Sequence, residues 1–183
     1  MKNNEKSICQ FKIILKDSSP SIWRRIQVEN SITLHRLSSI ILETMGWAGR
    51  HLHLFYIGGK FYDVPYAEPG FTRTIDEREV KLSDLGNKEI KKFQYEYDMG
   101  DGWEHELILE KTIEPDKKVS YPVCIDGRRN CPPEDCGGIP GDLPPKNSTT
   151  CNWSDSMVKH QTRRYGHEGE TVFGGTDHRD YQG

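Results

Sequence analysis

Nowhere does this chain contain an apolar run long enough to span a bilayer, and its opening residues, MKNNEKSICQFK, have no apolar core of a secretory leader. A cytoplasmic location and no membrane partner are therefore expected. Charge of one sign is also scarce: 25 Lys and Arg stand against 28 Asp and Glu, a net charge of -3, and the pI is near 6.2. Such a balance creates no broad field for a polyanion, so nucleic acid would need a local basic patch. The pairs Arg24-Arg25, Lys91-Lys92, Arg128-Arg129 and Arg163-Arg164 are short and read as solvated surface. Also missing are a glycine loop that cradles phosphate, a Gly-x-Ser-x-Gly elbow and a local cysteine-protease signature. Five cysteines, an odd number without a secretory leader, argue for reduced thiols or metal ligands over a disulfide framework.

What is present organises around residues 93–111, FQYEYDMGDGWEHELILEK. Phe93, Tyr95 and Tyr97 alternate with Gln94, Glu96 and Asp98, and Trp103, His105, Leu107 and Leu109 alternate with acidic residues beyond a glycine turn. This is the period of two half-buried antiparallel strands. Residues 9–16 and 22–28 read as an earlier hairpin around Asp17-Ser18-Ser19-Pro20, with Arg24 on a mostly apolar face and its head reaching water. Thr33 or its neighbours can cap a helix over residues 34–45, where Leu34, Leu37, Ile40, Ile41 and Met45 form one apolar stripe and Gly46 ends it. A second hairpin turns at Gly58-Gly59, residues 63–80 read as a long surface loop, and Lys81–Leu85 reads as one helical or 3₁₀ turn. Trp23, Trp47 and Trp103 are expected core anchors. The fold class is thus α+β, a mixed sheet crossed by one main helix in a β-grasp, ubiquitin-like, arrangement, followed by a Cys/Pro/Gly-rich loop at 121–138. Residues 1–140 form the domain; residues 141–183 lack periodicity and read as a loosely packed or disordered tail.

Three groups could carry chemistry. Cys124, Cys131 and Cys136, with His105 or Cys151 completing the set, supply ligand types for tetrahedral zinc, although paired C-x-x-C knuckles are missing. Asp98, Asp101 and His105, beside Glu104, could bind a divalent ion or exchange protons; the same residue types are equally at home in a structural hairpin loop. His51 and His53 share a strand face at two-residue spacing and could reach one ion, yet no third ligand is near in sequence.

Several motifs occur in order: PSIWRR at 20–25, HLHLF at 51–55, KLSDL at 81–85, YEYDMGDGWEH at 95–105, Tyr121-Pro122 and CPPEDCGG at 131–138. Together they resemble the plasmid pRiA4b ORF-three-like family over about residues 8–140. The resemblance implies a small bacterial or archaeal protein associated with mobile elements, and it implies no recombinase chemistry. After Gly138 the chain departs from the leucine-rich acidic helices usual in that family. The leading expectation is a non-enzymatic binding or adaptor module for an unknown protein or ligand, with Met99, Asp101, Glu104 and Arg24 as its partner surface. The alternatives are a metal-dependent enzyme, acting on phosphodiesters, at the Asp98–His105 loop, and a nucleic-acid-binding transposon accessory.

Overall fold

The computed structural model describes residues 6–65, 74–86 and 88–139. The expected tail over 141–183 lies outside them. Eight strands form one sheet: β1 (Ile8–Leu15), β2 (Ile22–Glu29), β3 (His53–Ile57), β4 (Lys60–Asp63), β5 (Ile75–Asp76), β6 (Lys92–Tyr97), β7 (Trp103–Ile113) and β8 (Val123–Arg128). Their order is β5-β4-β3-β6-β7-β1-β2-β8. Helix α1 (Leu34–Met45) is the one α-helix among the described residues. Thr33 accepts a hydrogen bond from Arg36 N at its start, and Gly46, at φ 89°, closes it in the left-handed region that glycine enters at least cost.

The helix lays Leu34, Leu37, Ile40 and Ile41 on one sheet face, against Phe11, Ile13, Ile26 and Leu107. Burying each such side chain is worth roughly 1.5–3 kcal/mol. The long hairpin has the expected register, with Phe93 opposite Leu107, Tyr95 opposite His105 and Tyr97 opposite Trp103. Its alternation puts Tyr95, Tyr97, Trp103 and His105 under the helix face and turns Glu96, Glu104 and Glu106 to the other side. The α+β class with one helix on a mixed sheet is as expected. The finer ubiquitin-like reading is not carried by the strand order: central β1 is antiparallel to both β2 and β7, and the parallel pair is β4 with β5.

Four expectations are corrected. Residues 123–128, placed in a loop, form an edge strand because β2 offers a free ladder to Val123–Arg128. The segment 63–80, read as surface loop, contains β5 and then turns inward, with Glu77 fully buried. Arg24 is 6% exposed, so its head does not reach water; its guanidinium donates to the carbonyls of Thr44, Trp23 and Arg128 at 2.8, 2.9 and 3.2 Å. Trp23 lies on the face away from the helix, between Lys12 and Arg25 at 4.9 and 5.0 Å from its ring centre, because it alternates with buried Ile22 and Arg24 along β2.

Candidate functional site

The segment after β5 decides the geometry. Leu34 N donates to Val80 O, His35 N to Glu77 O, and Leu82 N to Ile32 O, which straps residues 77–82 across the start of α1. Glu77 N in turn donates to Asp63 O at 3.0 Å, tying the strap to the end of β4. Glu77 is thereby carried beneath the first turn of the helix. There His35 Nδ1 lies 2.7 Å from its Oε1, and His53 Nε2, from β3, lies 2.8 and 2.9 Å from its two oxygens. The His53 ring is wedged between Phe55 and Tyr95 at centroid distances of 6.2 and 5.6 Å. Tyr95 is itself fixed by a 2.9 Å hydrogen bond with Ser38 Oγ, and its burial raises the phenol well above its ordinary pKa.

A cleft of about 550 Å³ opens beside this group, between the outer flank of α1, residues 47–53, residues 63–65 and the hairpin tip. Leu42, Trp47, Leu52 and Met99 line its apolar part. His35, His53 and Asp63 line its polar part, and His51 stands at its rim side. Asp63 Oδ1 is buried and makes no hydrogen bond.

A second group lies at the hairpin loop. His51 Nε2 is 2.8 Å from Asp135 Oδ1 and 3.6 Å from Asp98 Oδ2. Asp98 adopts a positive φ of 51° and uses its other oxygen to accept from Gly100 N and Asp101 N. The loop does face the Cys/Pro/Gly-rich segment, and what joins them is carboxylate and backbone. Asp101 accepts from Gly137 N at 3.1 Å; Glu134 accepts from Ala48 N and Gly49 N at 2.8 and 3.2 Å and from the Tyr97 hydroxyl; Trp47 Nε1 donates to Pro132 O at 2.8 Å. Gly138 is required at this seam, since a Cβ there would stand 2.4 Å from Asp101 O. Burial, then the bond to Glu134, pushes the Tyr97 hydroxyl up to about 12. Burial alone would raise the Glu134 carboxyl, but its bonds from Tyr97, Ala48 and Gly49 outweigh that and hold it below its ordinary value.

The sequence-predicted ligands are dispersed. Cys131 packs against Met45 Sδ at 3.2 Å and Arg24 Nη2 at 3.6 Å, Cys124 points at Asp126 O from β8, and Cys136 is exposed. Burial raises the thiols of Cys124 and Cys136, the latter also through Asp101, so both are protonated at neutral pH. His105 is wholly buried, edge-on to Trp47 at 5.5 Å. Desolvation drives its pKa down to about 4, outweighing the pull of the Tyr95 and Trp103 backbone, and neither ring nitrogen has a well-formed hydrogen bond. Among the described residues, the His, Cys, Asp and Glu groups whose ligand atoms converge within 4.8 Å are His35–His53–Glu77 and His51–Asp98–Asp135. Neither includes a cysteine or His105. Of the expected partner surface, Met99 is 50% exposed, Asp101 is engaged at the seam, Glu104 pairs with Lys16 on the opposite sheet face, and Arg24 is internal.

The model of the plasmid pRiA4b ORF-3-like protein family matches residues 7–142. The chain belongs to that family. It is 36% identical over 133 residues to the uncharacterized protein y4hQ of Sinorhizobium fredii, covering 72% of this chain and 68% of y4hQ. The crystal structure of MM3350, a protein of unknown function from Methanosarcina mazei Go1, matches with a TM-score of 0.68 and 34% identity, covering 75% of this chain and 78% of that one. The pRiA4b ORF-3-like fold described above therefore has a solved counterpart. No helix among the described residues is long and apolar enough to cross a membrane.

Proposed function

We propose that this protein is a small-molecule binding module whose ligand occupies the cleft between α1 and the start of β3. The observation that carries the reading is the cleft itself: about 550 Å³, within the roughly 300–1,000 Å³ typical of ligand sites, with an apolar wall and a few convergent polar groups. Its composition narrows the ligand. Glu43 and Asp63 bring carboxylates to the wall, and none of its described residues is a lysine or arginine. A polyphosphate or nucleic acid would meet repulsion there, whereas an uncharged or weakly charged molecule with an apolar body fits Leu42, Trp47 and Met99. The Arg24-Arg25 pair lends no support to nucleic-acid binding: Arg24 is internal and Arg25 is held by Glu110 and Asp126 at 2.7 and 2.8 Å. The adaptor reading is kept in this form, with Met99 of the hairpin tip as part of the recognition surface.

The test is a ligand-observed NMR screen of aromatic fragments against the full chain and against Ser39→Trp, a half-buried helix position that lines the cleft. Fragments should bind the parent chain, compete with one another, and lose binding in the variant while its circular dichroism is unchanged. Equal binding to both proteins, or no binding to the parent, overturns the proposal.

A further inference from the structure

We infer that His35, His53 and Glu77 form a binding site for a divalent transition-metal ion, of the zinc and cobalt type, at the polar end of the cleft. The inference deepens the cleft reading by giving that polar end a cofactor, and it rests on the geometry of these three side chains.

Glu77 has a side-chain exposure of 0%. A carboxylate removed from water needs strong compensating partners, and here both are imidazole nitrogens. His–Glu pairs alone can be structural, but three features favour a metal. First, the ligand atoms come from three separate places, the first turn of α1, β3 and the turn after β5, and converge within 4.8 Å. Bonds of about 2.0–2.1 Å to a tetrahedral ion set the ligand atoms about 3.3 Å apart, so the two His–Glu contacts, at 2.7 and 2.8 Å, need to open by only about half an ångström. Second, Asp63 Oδ1 is buried without a partner and belongs to a residue lining the same cleft. Such an orphaned acceptor is costly, and a water carried on a cation in the same cleft would satisfy it. Third, the group is not closed on all sides. His35 is half exposed and, with His53, forms cleft wall, which leaves a coordination position facing the ligand space, as in sites that hold an exchangeable water rather than purely structural ones.

Ligand type selects the metal. Two imidazoles and a carboxylate suit zinc, cobalt, iron(II) or nickel, whereas calcium and magnesium prefer all-oxygen shells. The surroundings support the rings as a metal site requires: Phe55 and Tyr95 fix the plane of His53, and the Ser38–Tyr95 bond fixes Tyr95. Binding would displace whatever proton the His–Glu contacts now share, so it should release protons and weaken as pH falls.

The experiment uses the full chain without an affinity tag, stripped with chelator and titrated with cobalt(II), followed by absorption, with zinc competition by calorimetry. The expected result is one strong site with visible d–d bands of tetrahedral intensity and no thiolate charge-transfer band in the near ultraviolet. His35→Ala, on the half-exposed flank, and Glu77→Gln should each weaken it by roughly a hundred-fold or more, and Asp63→Asn by less. Cys124→Ser and Asp135→Asn should leave it unchanged. A thiolate band abolished by the cysteine change, affinity untouched by His35→Ala, or a folded chain that binds no cobalt would each overturn the inference. Fragment binding that survives in chelator while cobalt binding is missing would separate the two readings, leaving the cleft as a ligand site without a metal.

Discussion

The inner group, His35–His53–Glu77, and the outer group, His51–Asp98–Asp135, use the same two side-chain chemistries beside one cleft, yet Glu77 is entirely buried while the Asp135 side chain is 67% exposed. That difference changes what each can do. An exposed carboxylate exchanges its histidine for water at little cost. A buried one has no water to turn to and needs partners inside the fold, here the imidazoles of His35 and His53. The inner group is therefore built to hold something, and the outer group to fasten the segment after β8 onto the hairpin loop.

The comparison breaks most visibly at Glu77. Glu77→Ala should destabilise the metal-free fold by roughly 3–5 kcal/mol, the cost of removing one partner from a buried carboxylate–imidazole cluster, read as the urea midpoint at constant m-value. The strap bonds of His35 N and Glu77 N are backbone bonds, so the loss isolates the side chain. A change below about 1 kcal/mol would place the inner group in the same class as the outer one.

His105 sharpens the contrast as a histidine with no carboxylate at all. Its folded pKa of about 4 lies below the ordinary 6.5. Above about pH 6.5 the imidazole is neutral in both states and contributes no pH dependence. As pH falls from about 6.5 toward 4 the unfolded chain takes up a proton that the folded chain refuses, so stability is lost by up to about 1.4 kcal/mol per pH unit, near 3 kcal/mol in total. His105→Leu should remove this component, making the stability curve between pH 7 and pH 4.5 flatter than that of the parent. Parallel curves would mean that His105 is protonated in the fold.

Glu134 belongs to the outer fastening but is better hydrogen-bonded than Asp135. Glu134→Ala strips the acceptor from Ala48 N, Gly49 N and the Tyr97 hydroxyl, and should cost about 1–2 kcal/mol. Hydrogen exchange should accelerate at Ala48 and Gly49, with β1 and β2 amides changing only by the global loss.

Much of the scaffold was legible because its causes are local. The stripe from Leu34 to Met45 sits between Thr33 and Gly46, and the alternation from Phe93 to Leu109 writes the register of β6 and β7 directly into the chain. The site was not legible, because its causes are distant. His53 is visible in the sequence as a possible ligand, but its spacing pairs it with His51, two residues away, whereas the fold joins it to Glu77, 24 residues away, and joins Glu77 to His35, 42 residues away. Nothing distinguishes Glu77 from Asp76, Arg78 and Glu79 in the sequence; it is buried only because backbone bonds strap residues 77–82 over the start of α1. In the same way β8 hides inside a Cys/Pro/Gly-rich composition because its pairing is supplied by β2. The Cys124, Cys131 and Cys136 cluster looked compact in sequence and is spread by the strand that runs through it.

The smallest expected effect is the most specific to the outer group. Asp135 stands at φ 59°, a left-handed conformation that asparagine tolerates about as well as aspartate, so Asp135→Asn removes the charge without adding backbone strain. Its partner His51 keeps Asp98 at 3.6 Å, and Glu134 and Asp101 still hold the segment. The cost should be only about 0.2–1 kcal/mol and should fade in high salt, since the pair is open to solvent. Amide exchange should rise locally, around residues 134–138, with no change at His35 or Glu77. If Asp135→Asn instead loosens the inner group, the two groups are one coupled unit, and the division by burial that separates holding from fastening fails.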